Sequence, residues 1–210
     1  MNNALNFSYM YFELEGVPPY TSHFVPVDFR YEWWIDKTDT QRFRFEKHFA
    51  TRVTPVNSGL IVLTTSMGQG IKIIHTEIWD DLPTDIEKEH PNKTTTYQEW
   101  FDSFTGMGQK LTKEIGTANA SHKYMGVQTD DTWGNVHVFQ KESKAQASDL
   151  YLGMPLVVTH KIQADDFRWV EMEQEIIVGG REVLHRLWRL SKWVELSLDD
   201  LPANIFKHTP

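Results

Sequence analysis

Residues 27 to 49, VDFRYEWWIDKTDTQRFRFEKHF, alternate apolar and polar positions with a period of two. Val27, Phe29, Tyr31, Trp33 and Ile35 fall on one side of a strand, and Asp28, Arg30, Glu32 and Asp36 on the other. After DKTDTQ the rhythm resumes, with Phe43 and Phe45 against Arg42, Arg44 and Glu46. The pattern predicts a long β-hairpin with one strongly aromatic face.

Further short runs rich in β-branched and aromatic residues predict more strands: SGLIVLTTS, GQGIKIIHTEIW, WGNVHVFQK, MPLVVTHKI and DFRWVEMEQEIIV. SMGQG, between the first two, and VGGRE at 178 to 182 are hairpin-turn sequences. The last run, EVLHRLWRLSKWVEL, fits helix or strand spacing. The Gly-Gly turn after a β segment favours strand. Residues 1–14 mix both periods at Leu5, Phe7, Tyr9, Phe12 and Leu14, which leaves their state open. Pro26 suits a strand start or edge better than an interior.

One segment has helical spacing. In TTTYQEWFDSFTGMGQKLTKEIG (94–116), Tyr97, Trp100, Phe101, Phe104, Leu111 and Ile115 recur at three, four and seven. A preceding threonine supplies the cap. Gly106 and Gly108 each cost about 1 kcal/mol relative to Ala, which predicts a kink or break. The acidic DDLPTDIEKEHPNK before it reads as a loop, and KESKAQASDLYLG (141–153) as a polar linker.

The expected fold is mainly β with a helical lid (α+β). Seven or more antiparallel strands form a curved sheet or half-barrel, covered by one or more helices, since a long sheet curls and its concave face needs cover. A single domain spanning 1–210 is the simplest division, because all-β domains run past about 200 residues.

Composition narrows the function. Hydrophobic residues at 40% and charged residues at 24% are those of an ordinary globular chain. A formal net charge of −8, with no long basic run, argues against a nucleic-acid partner. The absence of cysteine excludes disulfides, thiolate metal sites and a cysteine nucleophile. MNNALNFSYMYFELEG lacks the regions of a signal peptide, and no stretch reaches the ~20 apolar residues of a spanning helix. The chain as given reads as soluble, either whole or as an excised domain. Asn6, Asn92 and Asn119 begin glycosylation-type triplets, a pattern short enough to arise by chance.

Candidate chemistry is sparse. His75 and Glu77 share a predicted strand face without a third ligand, so a partly exposed strand histidine is the simpler expectation, and His160 and His185 look alike. No Gly-x-Ser-x-Gly elbow occurs, and GMGQKLTK has its lysine out of register for a phosphate loop. Glu171, Glu173 and Glu175 share a strand face, which is expected to be solvated. Aromatics are the stronger signal: Trp79, Trp133, Trp169, Trp188 and Trp193 add to those of the hairpin and helix. Large aromatics fill ordinary cores, but two aromatic faces directed at one space also make a ligand cavity.

The order of segments resembles the LolA-like superfamily of bacterial cell-envelope proteins, which includes lipoprotein carriers, anti-sigma regulators and mycobacterial lipid-carrying lipoproteins. The resemblance lies in TDTQRFRFE, MGQGIKIIH and LHRLWRLSKWVELSLDDLPANIF, and spans roughly residues 24–206. It implies a half-barrel with helices over its concave side, an extracytoplasmic location, and binding of acyl chains or another apolar ligand without catalysis.

Three function classes follow. The preferred one is non-enzymatic binding of an acyl chain, lipid or lipidated peptide, with Tyr31, Trp33, Phe43, Phe45, Trp100, Phe101 and Phe104 as cavity walls and no catalytic residue, metal or cofactor. The second is a ligand-free sensory or protein-interaction ectodomain of a membrane-anchored regulator, with a filled core; a membrane-bound protein is the expected protein partner. The third is a β-barrel hydrolase or isomerase using His75, His137 or the Glu171 to Glu175 face.

Overall fold

A computed structural model of the chain describes residues 4–15, 24–53, 58–69, 72–79, 82–89, 96–145 and 152–207. Its strands are β1 (Phe7–Glu15), β2 (Phe24–Asp36), β3 (Phe43–Val53), β4 (Ser58–Gln69), β5 (Lys72–Trp79) and β6 (Leu82–Glu89), then β7 (Lys123–Asp130), β8 (Gly134–Lys144), β9 (Pro155–Gln163), β10 (Trp169–Val178) and β11 (Arg181–Leu196). Helix α1 (Tyr97–Lys113) stands between β6 and β7, and a short 3-10 turn, Leu198–Asp200, follows β11. The chain is mainly β and its described strand pairs are antiparallel, as expected.

The chain divides into two compact units. The first holds Met1–Glu13, Pro19–Trp100 and Ser191–Pro210, with strand order β6-β5-β4-β3-β2-β1 and the last residues of β11. The second holds Leu14–Pro18 and Phe101–Leu190, with order β11-β10-β9-β8-β7.

In the first unit the predicted hairpin forms β2 and β3. Asp36 organises its turn: Oδ1 accepts from the Thr38 amide at 2.8 Å and the Thr38 hydroxyl at 2.6 Å, while the Asp36 amide donates to the Arg42 carbonyl at 3.0 Å. The turn sets Ile35 opposite Phe43, Trp33 opposite Phe45 and Glu32 opposite Glu46. Pro26 sits where the β2–β3 register shifts, a place that tolerates the missing donor. Residues 7–15, open on sequence grounds, pair with β2 and place Met10 opposite Trp33. Trp33 and Trp34 thereby serve opposite faces. Trp34 packs with Phe7 and Phe206, and with Tyr9, Leu201 and Ile205, so the C-terminal segment covers the second face at that end.

Residues 82–89 form a strand, contrary to the expected loop. Pro83 stands opposite Ile78 on β6, the end strand of its row, where a proline and a run of charges are tolerated. The turn expected at SMGQG begins within β4, and Gly70 lies outside the described residues. The expected 141–153 linker begins later, because β8 continues through Lys144; residues 146–151 lie outside the described ones. β7 had no counterpart among the predicted strands, as its face pattern is weak and mostly exposed.

In the second unit the Gly179-Gly180 turn has positive φ at both residues, 59° and 78°, and joins β10 to β11 as a strand pair. Helix α1 runs through Gly106 and Gly108 without a break. The reason at Gly108 is packing: Leu111 lies on Phe139 and Ile162, with Tyr124, Phe167 and Trp169 around them. A Cβ at Gly108 would overlap the Phe167 carbonyl oxygen and stand 2.7 Å from Ile162 Cγ2. Phe167 itself sits at φ 64°, so the chain accepts strain to bring helix and sheet together.

These two glycines separate propensity from packing. Nothing lies within 4 Å of a Cβ built on Gly106. Gly106→Ala should therefore stabilise the protein by about 0.5–1 kcal/mol. Gly108→Ala should destabilise it by about 1–3 kcal/mol through overpacking. Urea unfolding midpoints at unchanged slope check both, and equal effects at the two positions would contradict the packing account.

Candidate functional site

The alternation of β1, β2 and β3 assembles an apolar face in the first unit. Met10 and Ile35 are 0% and 1% exposed on it, whereas Tyr31, Trp33, Phe43 and Phe45 on the same face are half-buried. The Phe45 ring lies 5.5 Å from Tyr31 and 5.5 Å, edge-on, from Trp33. These spacings favour aromatic pairs. At one end of the face, Ser8 stands opposite Ile35, shares a 2.8 Å hydrogen bond with the Tyr97 hydroxyl and donates to Glu195 Oε1 at 2.9 Å. Thus the first turn of α1 docks on the aromatic side of the strands. That turn is fixed by a capping box: Thr96 donates its amide to Glu99 Oε2 at 2.8 Å, and the Glu99 amide donates to Thr96 Oγ1 at 3.2 Å.

Of the seven expected wall residues, Tyr31, Trp33, Phe43 and Phe45 come together. Phe101 is half-buried and belongs to the second unit. The side chains of Trp100 and Phe104 lie outside the described ones, as do those of His75 and Glu77.

The second unit holds a cavity of about 190 Å³ between the C-terminal end of α1 and β7–β8, walled by Leu111, Ile115, Ala120, His122, Tyr124 and Phe139. Its volume is below the range of about 300–1,000 Å³ typical of ligand sites. His160 stands opposite Phe139 and its ring lies 5.3 Å from His122. The expected part-exposed strand histidine is instead 5% exposed, and its Nδ1 has no hydrogen-bond partner among the described residues. Burial, with the nearby His122 and Lys141, pushes its pKa down to about 4, so it is neutral at ordinary pH. Burial likewise lowers His122. His137, beside them, shares a 2.8 Å hydrogen bond with the Tyr124 hydroxyl.

The glutamate run is a solvated face only in part, with Glu173 and Glu175 half-buried and Glu171 buried. Glu171 is 5% exposed and lies between Lys161 on β9 and Arg189 on β11, each 2.7 Å away. Glu173 meets His185 at 2.8 Å. Alternation puts the glutamates on one face correctly, but the register across β9 and β11 supplies cations that a single strand does not reveal.

A further cluster escaped sequence reading. On the face opposite the aromatic rings, His48 Nε2 lies 3.1 Å from Glu32 Oε2 and 2.9 Å from Glu46 Oε2. Tyr9 donates its hydroxyl to Glu32 Oε1 at 2.7 Å, and Arg44 Nε donates to Glu46 Oε1 at 2.5 Å. Hydrogen bonds to Glu32 and then Glu46 raise the His48 pKa to about 9 against burial. The His48 bond lowers Glu32. At Glu46, burial pushes upward and the His48 and Arg44 bonds outweigh it. Among the described residues, this trio brings potential metal-ligand atoms within 4.8 Å of one another. Once the turn is placed, counting back across it sets Glu32 against Glu46, so the signal was available in the hairpin sequence.

No family model and no curated protein sequence matches the chain. Among solved structures, it is similar to LprF from Mycobacterium bovis at 12% identity and a TM-score of 0.40, covering 91% of this chain and 86% of that one. It is also similar to a β-barrel-like protein, of a domain of unknown function, from Brucella abortus, at 8% identity and a TM-score of 0.29, covering 91% and 97%. Neither likeness reaches the level at which a shared fold follows. Among the described residues, no helix is long and apolar enough to cross a membrane.

The two histidines give stability opposite pH slopes. His48, raised to about 9, stabilises fully below its ordinary pKa of 6.5, and that contribution is lost as pH rises through 9. His160, lowered to about 4, is protonated more readily when unfolded, so stability falls as pH drops from 6.5 towards 4. Urea midpoints should peak near neutrality. His48→Gln should flatten the alkaline limb and His160→Leu the limb just below 6.5. Limbs unchanged in both variants would contradict the assignments.

Proposed function

We propose that this protein binds an apolar ligand without catalysis, taking an acyl chain, lipid or lipidated peptide against the aromatic face of β1–β3. The observation that carries the reading is the rank of Tyr31, Trp33, Phe43 and Phe45, left half-buried beside fully buried Met10 and Ile35. Apolar surface left partly open in a row of this kind is what a ligand pocket lined by aromatic side chains offers. Each buried methylene contributes about 0.8 kcal/mol, so a chain laid along the rings gains affinity without polar contacts. The second unit's cavity, at about 190 Å³, is small for a longer ligand. The LolA-like resemblance of residues 24–206 points the same way. It also supports an extracytoplasmic location and exchange with a membrane-bound partner.

A dibrominated stearic acid quenches tryptophan fluorescence on contact and so tests the face directly. Quenching should saturate in the native protein, fall in Trp33→Phe, and require at least tenfold more fatty acid in Phe45→Ser at unchanged near-ultraviolet circular dichroism. Ile115→Ser, at the separate cavity, should behave as the native protein does. Absence of saturable quenching in the native protein would overturn the reading, as would loss of folding in Trp33→Phe and Phe45→Ser alike, which would make these rings core.

A further inference from the structure

Glu32 and Glu46 stand directly opposite each other on β2 and β3, a like-charge pair that a sheet normally avoids. Both carboxylates are largely shielded from solvent, with side-chain exposures of 18% and 12%. Each has one oxygen committed to a neighbour: Oε1 of Glu32 to Tyr9, and Oε1 of Glu46 to Arg44. The two remaining oxygens converge on His48 Nε2, at 3.1 and 2.9 Å. Anchored outer oxygens and convergent inner ones are the pattern by which outer-shell partners orient metal ligands. Tyr9 and Tyr11 come from β1, Arg30 and Glu32 from β2, and Arg44, Glu46 and His48 from β3; on β4, Leu63 stands opposite His48 and Thr65 opposite Glu46.

We infer that Glu32, Glu46 and His48 form a binding site for a divalent first-row cation, zinc foremost, through Glu32 Oε2, Glu46 Oε2 and His48 Nε2. One imidazole and two carboxylates suit zinc, with ligand bonds of about 2.0–2.2 Å and a solvent molecule in the fourth position. Calcium and magnesium prefer oxygen ligands alone. Without the cation, a proton on His48 Nε2 bridges the two carboxylates. Binding replaces that proton by the metal and releases it to solvent, so both charge and atoms balance. Arg30, 3.6 Å from Glu32 Oε2, and Arg44, bonded to Glu46, oppose the added charge. The site lies on the face away from the aromatic rings, so it stands or falls independently of acyl-chain binding.

The test is calorimetric titration of the untagged, chelator-stripped full chain with zinc chloride at pH 7.5, in two buffers of different ionisation enthalpy. About one zinc should bind per chain with release of about one proton. Affinity should fall by about 30-fold or more in His48→Gln and in Glu46→Gln, and stay unchanged in His185→Gln. Failure of the native chain to bind zinc below millimolar concentration would overturn the inference, leaving a self-neutralised ion network. Binding that survives both cluster variants would do the same. Should the variants not fold, the native chain decides: binding with no proton release counts against the site.

Discussion

A β-strand offers each side chain one of two sides, and on β1, β2 and β3 both sides carry essential cargo. Tyr31, Trp33, Phe43 and Phe45 take one, with Met10 and Ile35 beside them. Arg30, Glu32, Trp34, Arg44, Glu46 and His48 take the other. A slip of one residue would drive charged groups among the rings and expose the aromatics, so register is strongly specified. The Asp36 turn fixes it locally, while the Trp34–Phe7–Phe206 cluster and the Tyr9–Glu32 hydrogen bond fix it from β1 and the C-terminal segment. The WW pair is the point where the two faces are both locked.

The second unit depends on a close approach between helix and sheet. Gly108 lets α1 come down beside Phe167, and Leu111 then seats on Phe139 and Ile162. The cost appears locally, as a left-handed Phe167 and buried His160 and Trp169 nitrogens that lack partners among the described residues. Such costs persist only where surrounding packing over-determines the conformation. Here the packing leaves a cavity too small for a long ligand, with the His122 imidazole in its wall.

Much of the fold was legible because local signals agreed. The β2–β3 hairpin follows from strict alternation, the helix from its apolar spacing and Thr96 cap, and β11 from the Gly179-Gly180 turn. What escaped depends on neighbours. β6 reads as a loop because Pro83 and its acidic residues are permissible only on an end strand, which a lone segment does not announce. Gly108 reads as a helix breaker until the sheet beneath it is known. His160 and Glu171 read as surface groups because their burial is imposed by adjacent strands. Of the candidate site, the common face of Tyr31, Trp33, Phe43 and Phe45 was visible in the alternation. The histidine–carboxylate cluster was present in the same sequence, but only pairing across the turn brings it together.

The central claim is that the aromatic face is a wall and not merely core. Organic extraction and mass spectrometry of the purified, detergent-free protein, beside an unrelated soluble protein as control, tests it most directly. The account predicts an acyl-chain-bearing molecule at near-equimolar amount, absent from the control. A protein that emerges empty and stays empty after incubation with lipid vesicles would contradict it, and the rings of Tyr31, Trp33, Phe43 and Phe45 would then be packing alone.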